Sequence, residues 1–243
     1  MSGSTAAPAG ARRRFGLAAV LGALALIGAG IVPAAPAAAA GRLSLDVTRL
    51  SAKDRVVSAS GCSKVRVHMV KRKSAAAEVW AVDTRVRKGK RTVASAFYNY
   101  EGAQGTVAVR VCAKRTGLGR YELGPSRVDM ADWDSAGRTR TDRTKGAFYL
   151  RAKARTQLSP ARHGRSTRLT VRAQRFNPKS ARYTAYSPRA RVQAKTGGGW
   201  KTVRTTRLRG GRATVTVQPA HTYRVTFGRT SWATGATSRA VRR

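Results

Sequence analysis

Alternation of apolar and polar residues between positions 189 and 227 constrains the fold of this chain more than any other feature. Small or apolar side chains occupy every second position in three runs: Ala190/Val192/Ala194, Ala213/Val215/Val217 and Tyr223/Val225/Phe227. A two-residue period is typical of a β-strand with one buried face. Glycines at 197–199 and 210–211 separate the runs, where turns need residues that tolerate positive φ. The stretch therefore predicts a β-meander with one buried face.

The polar positions of this meander are mainly basic. We expect its solvent-facing side to carry six cations, Arg191, Lys195, Lys201, Arg204, Arg212 and Arg224. Residues 143–243 contain 25 Lys and Arg and no Asp or Glu, whereas residues 41–142 contain 21 basic and 10 acidic side chains. A net charge of +39 attracts polyanions. The charge predicts polyanion binding, chiefly by the C-terminal part, and a solvated basic surface without a dedicated partner is the alternative.

The first 40 residues have the pattern of a signal peptide. Arg12–Arg14 form a basic start, residues 15–32 are uncharged and apolar, and Ala38–Ala40 offer a cleavage site before Gly41. An uncleaved anchor is the alternative, because residues 15–32 are just long enough to span a thin bilayer. The general and the twin-arginine export routes both stay open. We expect a secreted protein that is associated with the cell wall.

The remaining length fits two domains of about a hundred residues each. We place them at residues 41–152 and 153–243. Both contain short alternating runs at the spacing of antiparallel strands, seven of them in the second domain. Short strands separated by Gly and Pro turns predict an all-β fold of two β-sandwiches.

Two cysteines, Cys62 and Cys112, lie 50 residues apart. In an exported chain they predict one disulfide, and a free buried thiol pair is the alternative. Trp80 lies between them, and the order Cys–Trp–Cys resembles the inter-sheet pin of immunoglobulin domains. Cys112 has the opposite parity to the valines before it, Val107, Val109 and Val111. Either this strand contains a bulge, or the valines face the second layer.

Several motifs in the C-terminal part carry a family resemblance. They are Tyr183-x-x-Tyr186, the run from Val192 to Trp200-Lys-Thr-Val203, Gly211–Val217 and Tyr223–Gly228. These motifs look like the immunoglobulin-like repeat of secreted actinobacterial proteins, and residues 148–158 resemble the junction between two such domains. The resemblance implies two tandem immunoglobulin-like antiparallel β-sandwiches and an extracellular location. It supplies no catalytic residues, some members are labelled calcium-binding, and this chain is far more basic than the family pattern.

Three aspartates are the candidates for a metal site. Asp129, Asp132 and Asp134 lie close together, and Asp142 follows. In an EF-hand loop that begins at Asp132, residues 134 and 137 would fit, but Ala136 and Arg143 occupy ligand positions. A hairpin turn is the alternative. We therefore predict no metal and no cofactor, with these aspartates as weak candidates.

The sequence contains no recognisable catalytic motif. His68, His163 and His221 lie in separate segments, and neither a nucleophile elbow nor a phosphate loop is present. No carboxylate follows Asp142, so the second domain has no carboxylate base. We predict that the protein is not an enzyme. An unrecognised hydrolase using a Ser–Lys pair is the alternative.

Three aromatic residues, Tyr183, Tyr186 and Trp200, lie among arginines. They could stack nucleobases, or they could be core and hairpin residues. Together the patterns predict a secreted, non-catalytic protein that associates electrostatically with anionic cell-wall or envelope polymers such as teichoic acids. The alternatives are a nucleic-acid or extracellular-matrix binder and a calcium-dependent adhesion module. No small-molecule substrate is implied, and the oligomeric state stays open.

Overall fold

The computed structural model describes residues 42–102, 105–133, 137–218 and 221–242. The signal-peptide prediction lies outside these residues. The first part of the described chain contains β1 Leu45–Ala52, β2 Arg55–Val57, β3 Ser63–Lys73, β4 Val79–Lys88, β5 Arg91–Asn99, β6 Thr106–Val111, the short helix α1 Ala113–Thr116, β7 Gly119–Ala131, β8 Arg138–Asp142 and β9 Gly146–Ala152. The second part contains β10 Ala154–His163, β11 Ser166–Asn177, β12 Arg182–Ala185, β13 Arg189–Thr196, β14 Gly199–Arg207, β15 Arg212–Val217, β16 Thr222–Phe227, β17 Ala236–Thr237 and β18 Val241–Arg242.

The strands form four sheets, which we name A to D. Sheet A has the order β1-β3-β6, and sheet B has the order β2-β9-β7-β4-β5 with β8 beside β7. Sheet C consists of β10-β11-β12 with β15 also paired to β11, and sheet D has the order β14-β13-β16-β17 with β18 beside β16. The β2–β9 pair is parallel, and the other ladders are antiparallel. The prediction of an all-β fold is confirmed.

The buried apolar residues form two clusters, each between two sheets. Sheets A and B enclose the first, with Val65 and Val67 from one sheet and Val82 and Tyr121 from the other. Sheets C and D enclose the second cluster, which contains Leu169, Val171, Val192, Val225 and Phe227. Each cluster is the interior of a β-sandwich, because the inward side chains of two facing sheets meet there. Alternation along the strands thus determines which side chains are buried.

Both clusters belong to one compact unit that contains the described residues. Lys153 alone separates β9 from β10, and Phe176 of β11 is buried in the first cluster rather than the second. The backbone N–H of Ala152 donates to the carbonyl of Trp232, and that of Thr234 donates to the carbonyl of Ala152. Backbone bonds and apolar packing therefore connect the two sandwiches. No helix in the described part of the chain has the length and apolarity of a membrane span.

The predicted single meander is wrong at β15, its third strand. β13 pairs with β14 and β16, but β15 pairs with β11 in sheet C. The chain changes sheet after Leu208, at a turn where Gly210 and Gly211 both have positive φ. The second of these glycines is also packed closely, because a Cβ there would lie 2.7 Å from the carbonyl oxygen of Ala173.

A disulfide joins Cys62 to Cys112, which confirms that prediction. The resemblance to an inter-sheet pin is wrong. Cys62 directly precedes β3, Cys112 directly follows β6, and these strands are neighbours in sheet A with Ser63 opposite Val111. The bond therefore links two strands of one sheet. Cys112 lies beyond the end of β6, and Val109 and Val111 face sheet B. Of the two alternatives for this strand, a bulge or valines that face the second layer, the structure has the second.

Candidate polyanion-binding surfaces

The structure divides the six predicted cations among three surfaces instead of one. Arg191, Lys195 and Arg224 lie on the outer face of sheet D, where Gln193 is opposite Arg224 in the ladder. Arg191 and Lys195 are exposed, whereas Arg224 is half-buried. The Arg224 guanidinium lies 4.2 Å from the centre of the Trp200 ring, and its Nε donates to Gln193 at 2.8 Å. Two of these three cations are therefore open to a ligand.

Lys201 and Arg204 lie on the opposite side of sheet D from Arg191. Their cross-strand partners are the buried residues Ala194 and Val192, whose side chains face the second cluster. Both cations are nevertheless exposed, because β14 is the edge strand and its burial pattern is almost entirely exposed. They line a groove of about 500 Å³ at the open edge of the sandwich, together with Arg165.

Arg212 lies on the outer face of sheet C. It is opposite Arg172 of β11, and both side chains are exposed next to buried Val171 and Ala173. These two arginines and Arg155 line a shallow groove of about 290 Å³. The prediction that all six cations share one face is therefore wrong, because the strand that carries Arg212 belongs to the other sheet.

Like charges lie directly opposite each other on three outer faces. The exposed pairs are Lys64–Arg110 in sheet A, Arg172–Arg212 in sheet C and Arg189–Arg207 in sheet D. None of these six side chains has an ion-pair partner within the described ranges. Like charges in register destabilise a sheet by roughly a few tenths of a kcal/mol per pair. An anion bound between the members of each pair would remove that repulsion.

Sheet A contains a basic groove that the sequence analysis did not identify. The groove has a volume of about 810 Å³ and is lined by Arg49, Lys53, Arg55, Lys64, Arg66 and His68, with hydroxyls from Ser51 and Thr106. No carboxylate is among the lining residues that the structure describes. His68 Nδ1 is 3.0 Å from the hydroxyl of Thr106. The sequence signal was the polar side of β3, where Lys64, Arg66 and His68 alternate with buried Val65, Val67 and Met69.

The acidic side chains neutralise a different set of arginines. The ion pairs of the described residues involve Arg120, Arg127, Arg140 and Arg151. Burial by itself raises the pKa of Asp54. The opposing effects are larger, so the pKa lies below its usual value: hydrogen bonds from Arg151 and the Tyr149 N–H, and the charges of Arg151 and Arg229. These pairs leave the basic groove and the like-charge pairs uncompensated.

The three aromatic residues near the basic surfaces have structural contacts. Tyr186 is 5 % exposed and packs edge-on against Phe227 and Trp232. Tyr183 and Trp200 each have one ring face covered by an arginine of this chain, with Arg155 4.0 Å from the Tyr183 ring centre. The structure thus uses these rings for packing and cation–π contacts, which leaves little ring surface for nucleobases.

The weak metal candidates do not form a ligand set among the described residues. Asp129 Oδ1 accepts hydrogen bonds from Arg127 Nε at 3.1 Å and from the Thr139 hydroxyl at 2.5 Å. Asp132 follows β7, and Asp134 lies outside the described residues. No group of three or more His, Cys, Asp or Glu side chains that could hold an ion occurs in the described ranges. His68 and His221 lie in different sheet regions, on grooves of sheets A and D respectively.

A scan against protein-family models found no matching model, and a search of curated proteins found no match.

Proposed function

We propose that this protein is a secreted, non-catalytic binding protein that associates electrostatically with anionic cell-wall or envelope polymers, such as teichoic acids. The observation that carries the proposal is the set of uncompensated cross-strand pairs, Lys64–Arg110, Arg172–Arg212 and Arg189–Arg207. They lie on the outer faces of three different sheets, so separate polymer strands of a wall network can contact the protein from more than one side. Several weak contacts of one protein with such a network combine into strong binding.

The proposed architecture is two tandem immunoglobulin-like sandwiches after a cleaved signal segment, as in the secreted actinobacterial proteins that the motifs resemble. Two apolar clusters support this division, the first from residues 45–152 together with Phe176 and the second from residues 154–233. Export is supported by the disulfide, because such bonds persist in oxidising compartments. The intact mass of the secreted protein should correspond to a chain that begins at Gly41. A mass that still includes residues 15–32 would rule out cleavage.

The experiment is a salt titration of binding to purified wall teichoic acid and to duplex DNA. Bound polyanions release counterions, so the logarithm of affinity should fall with the logarithm of salt by about 0.9 per neutralised phosphate of DNA. Neutralising the three pairs as K64Q/R110Q, R172Q/R212Q and R189Q/R207Q should each reduce that slope by about two. Removing like-charge repulsion should leave the fold intact, and unfolding free energies should stay within about 0.5 kcal/mol per substitution.

The matched control is Arg120→Gln with Arg127→Gln. It removes the same charge, but from side chains that Glu122 and Asp129 already neutralise. We expect this control to change the slope by less than about one. Equal effects of the control and the pair variants would show that net charge alone drives binding. Affinity that does not depend on salt would overturn the proposal, and a preference for DNA over teichoic acid would favour the nucleic-acid alternative.

A further inference from the structure

One region of the surface differs from the rest because it carries a cluster of exposed aromatic rings. Phe97, Tyr100 and Trp133 are 57 %, 39 % and 66 % exposed. Tyr100 contacts Trp133 edge-on, with 6.0 Å between ring centres. Phe97 and Tyr100 line the same depression on the outer face of sheet B. Clusters of exposed aromatic side chains on a soluble protein are typical of a binding site.

Small side chains form the floor of this depression, which we call the aromatic trough. Ala81 on β4 is opposite Asn99 on one side and Asp129 on the other, and Val79 is opposite Ala131. Because these floor residues are short, the taller rings at the edge leave a trough of about 460 Å³. That volume lies in the usual range of small-ligand sites, about 300–1,000 Å³.

Polar groups line the rim of the trough. They are the carboxamide of Asn99, the carboxylates of Glu101 and Asp129, the guanidinium of Arg138 and the hydroxyl of Thr139. Neighbouring side chains hold them in place, since Glu101 accepts from both Asn99 Nδ2 and the Tyr100 hydroxyl at 3.3 Å. Asp129 is held by Arg127 and Thr139. The trough therefore combines an apolar surface with fixed hydrogen-bond donors and acceptors, which is the arrangement that gives a small-ligand site its specificity.

The trough differs in charge from the basic surfaces, because Arg138 is accompanied there by the carboxylates of Glu101 and Asp129. These carboxylates disfavour phosphate, and they accept hydrogen bonds from neutral hydroxyls. A sugar ring presents a face of C–H groups that packs against an aromatic ring and an edge of hydroxyls that bond to carboxylates and carboxamides. The net charge of +39 opposes docking of a second copy of the chain.

From these features we propose that the aromatic trough binds the sugar rings of a neutral glycan. Phe97 and Tyr100 supply stacking surfaces, and Trp133 supports the Tyr100 ring through its edge-on contact. Asn99, Glu101 and Asp129 exchange hydrogen bonds with the ring hydroxyls of the glycan. This site lies on sheet B and is independent of the basic surfaces on sheets A, C and D. It would let the protein bind a neutral glycan at the trough in addition to the anionic polymers proposed for the basic surfaces.

The test is calorimetric titration of the disulfide-bonded protein with cellohexaose, chitohexaose and a mannan oligosaccharide. Measurements in about 1 M NaCl, where the Debye length is about 3 Å, suppress electrostatic binding. We expect at least one of these glycans to bind under those conditions and to quench tryptophan fluorescence. Phe97→Ala and Trp133→Ala should each weaken that binding by about tenfold, and Trp133→Phe should keep most of it.

Val56→Ala and Val203→Ala are the matched controls, because both valines are exposed to a similar degree, 56 % and 47 %, outside the trough. They should leave glycan binding unchanged, and all of these variants should retain the parent melting temperature. Absence of binding to every glycan of the set would overturn the proposal. So would binding that the Phe97 and Trp133 variants do not weaken, or a dimer that sedimentation detects and that these variants abolish.

Discussion

Asp142, the last carboxylate of the chain, connects the two sheets of the first sandwich. It is 6 % exposed at the end of β8 in sheet B. Its Oδ2 accepts the backbone N–H of Val47 in sheet A at 3.1 Å, and its Oδ1 accepts the N–H of Thr144 at 2.9 Å. Arg140 Nη2 lies 3.3 Å from Oδ2. Replacing Asp142 would leave two backbone donors without an acceptor.

These contacts set the size of the expected effect. A hydrogen bond to a charged group contributes about 1.5–3 kcal/mol, and breaking a buried ion pair costs about 3–5 kcal/mol. We therefore expect Asp142→Ala to lower the free energy of unfolding by about 3–5 kcal/mol. At about 2–4 °C per kcal/mol for a protein of this size, the melting temperature should fall by roughly 10 °C. Asp142→Asn keeps one acceptor and should lie between the parent and the alanine variant.

Urea unfolding of the oxidised protein is the assay, followed by tryptophan fluorescence and circular dichroism. Trp80 lies in the first cluster at 6 % exposure and reports its unfolding. Asp46→Ala is the matched control, because Asp46 pairs with the same Arg140 but its side chain is 59 % exposed. An exposed pair contributes about 1 kcal/mol at most. If Asp142→Ala destabilised the protein no more than Asp46→Ala, the assignment of Asp142 as a link between the sheets would be wrong.

Two further predictions concern covalent and pH-dependent stability. The double change Cys62→Ser and Cys112→Ser should lower the unfolding free energy by about 4 kcal/mol, because the disulfide closes a loop of 50 residues. A loss below about 1 kcal/mol, measured by urea unfolding, would contradict this. Burial raises the pKa values of Tyr98, Tyr121 and Tyr223 above their usual 10.0, so their stabilising contribution is complete below pH 10.0 and is lost as the pH rises through the folded-state values. Burial lowers the pKa of Lys88, so this one group increases the stability of the folded state as the pH rises, against the effect of the three tyrosines. Tyr98→Phe should therefore reduce the alkaline loss of stability measured by urea unfolding between about pH 9 and 11, and an unchanged loss would contradict this.

The location of the candidate sites was only partly predictable from sequence. Lys201 and Arg204 have opposite parity in the chain and would lie on opposite sides of a regular strand. A register shift between Val192 and Gln193, with Val203 as the extra residue of β14, brings both to the same side. Alternation cannot reveal such a bulge, because an inserted residue changes the parity of every position after it.

The aromatic trough shows a second limit of sequence reasoning. Phe97, Asp129 and Thr139 lie on three different strands, and no local pattern joins them. They share one face because β5, β4, β7 and β8 are neighbours in sheet B. The sequence neighbours of Asp129 make it a weak metal candidate, but its neighbours in the structure are Arg127 and Thr139.

The sequence by itself determined the alternating strands with one buried face, the disulfide and the excess of positive charge, since each depends on local periodicity, composition or cysteine count. Short strands without that alternation, such as β2, β8 and β12, were not predicted. The tertiary structure alone decided that β15 joins sheet C, that Cys62 and Cys112 link neighbours within sheet A, and that cations lie opposite one another on three faces. The physical reason is that a period of two specifies which side of a strand is buried but not which strand lies beside it. That partner depends on the closure of loops and on the packing of facing sheets, which are non-local properties of the whole chain.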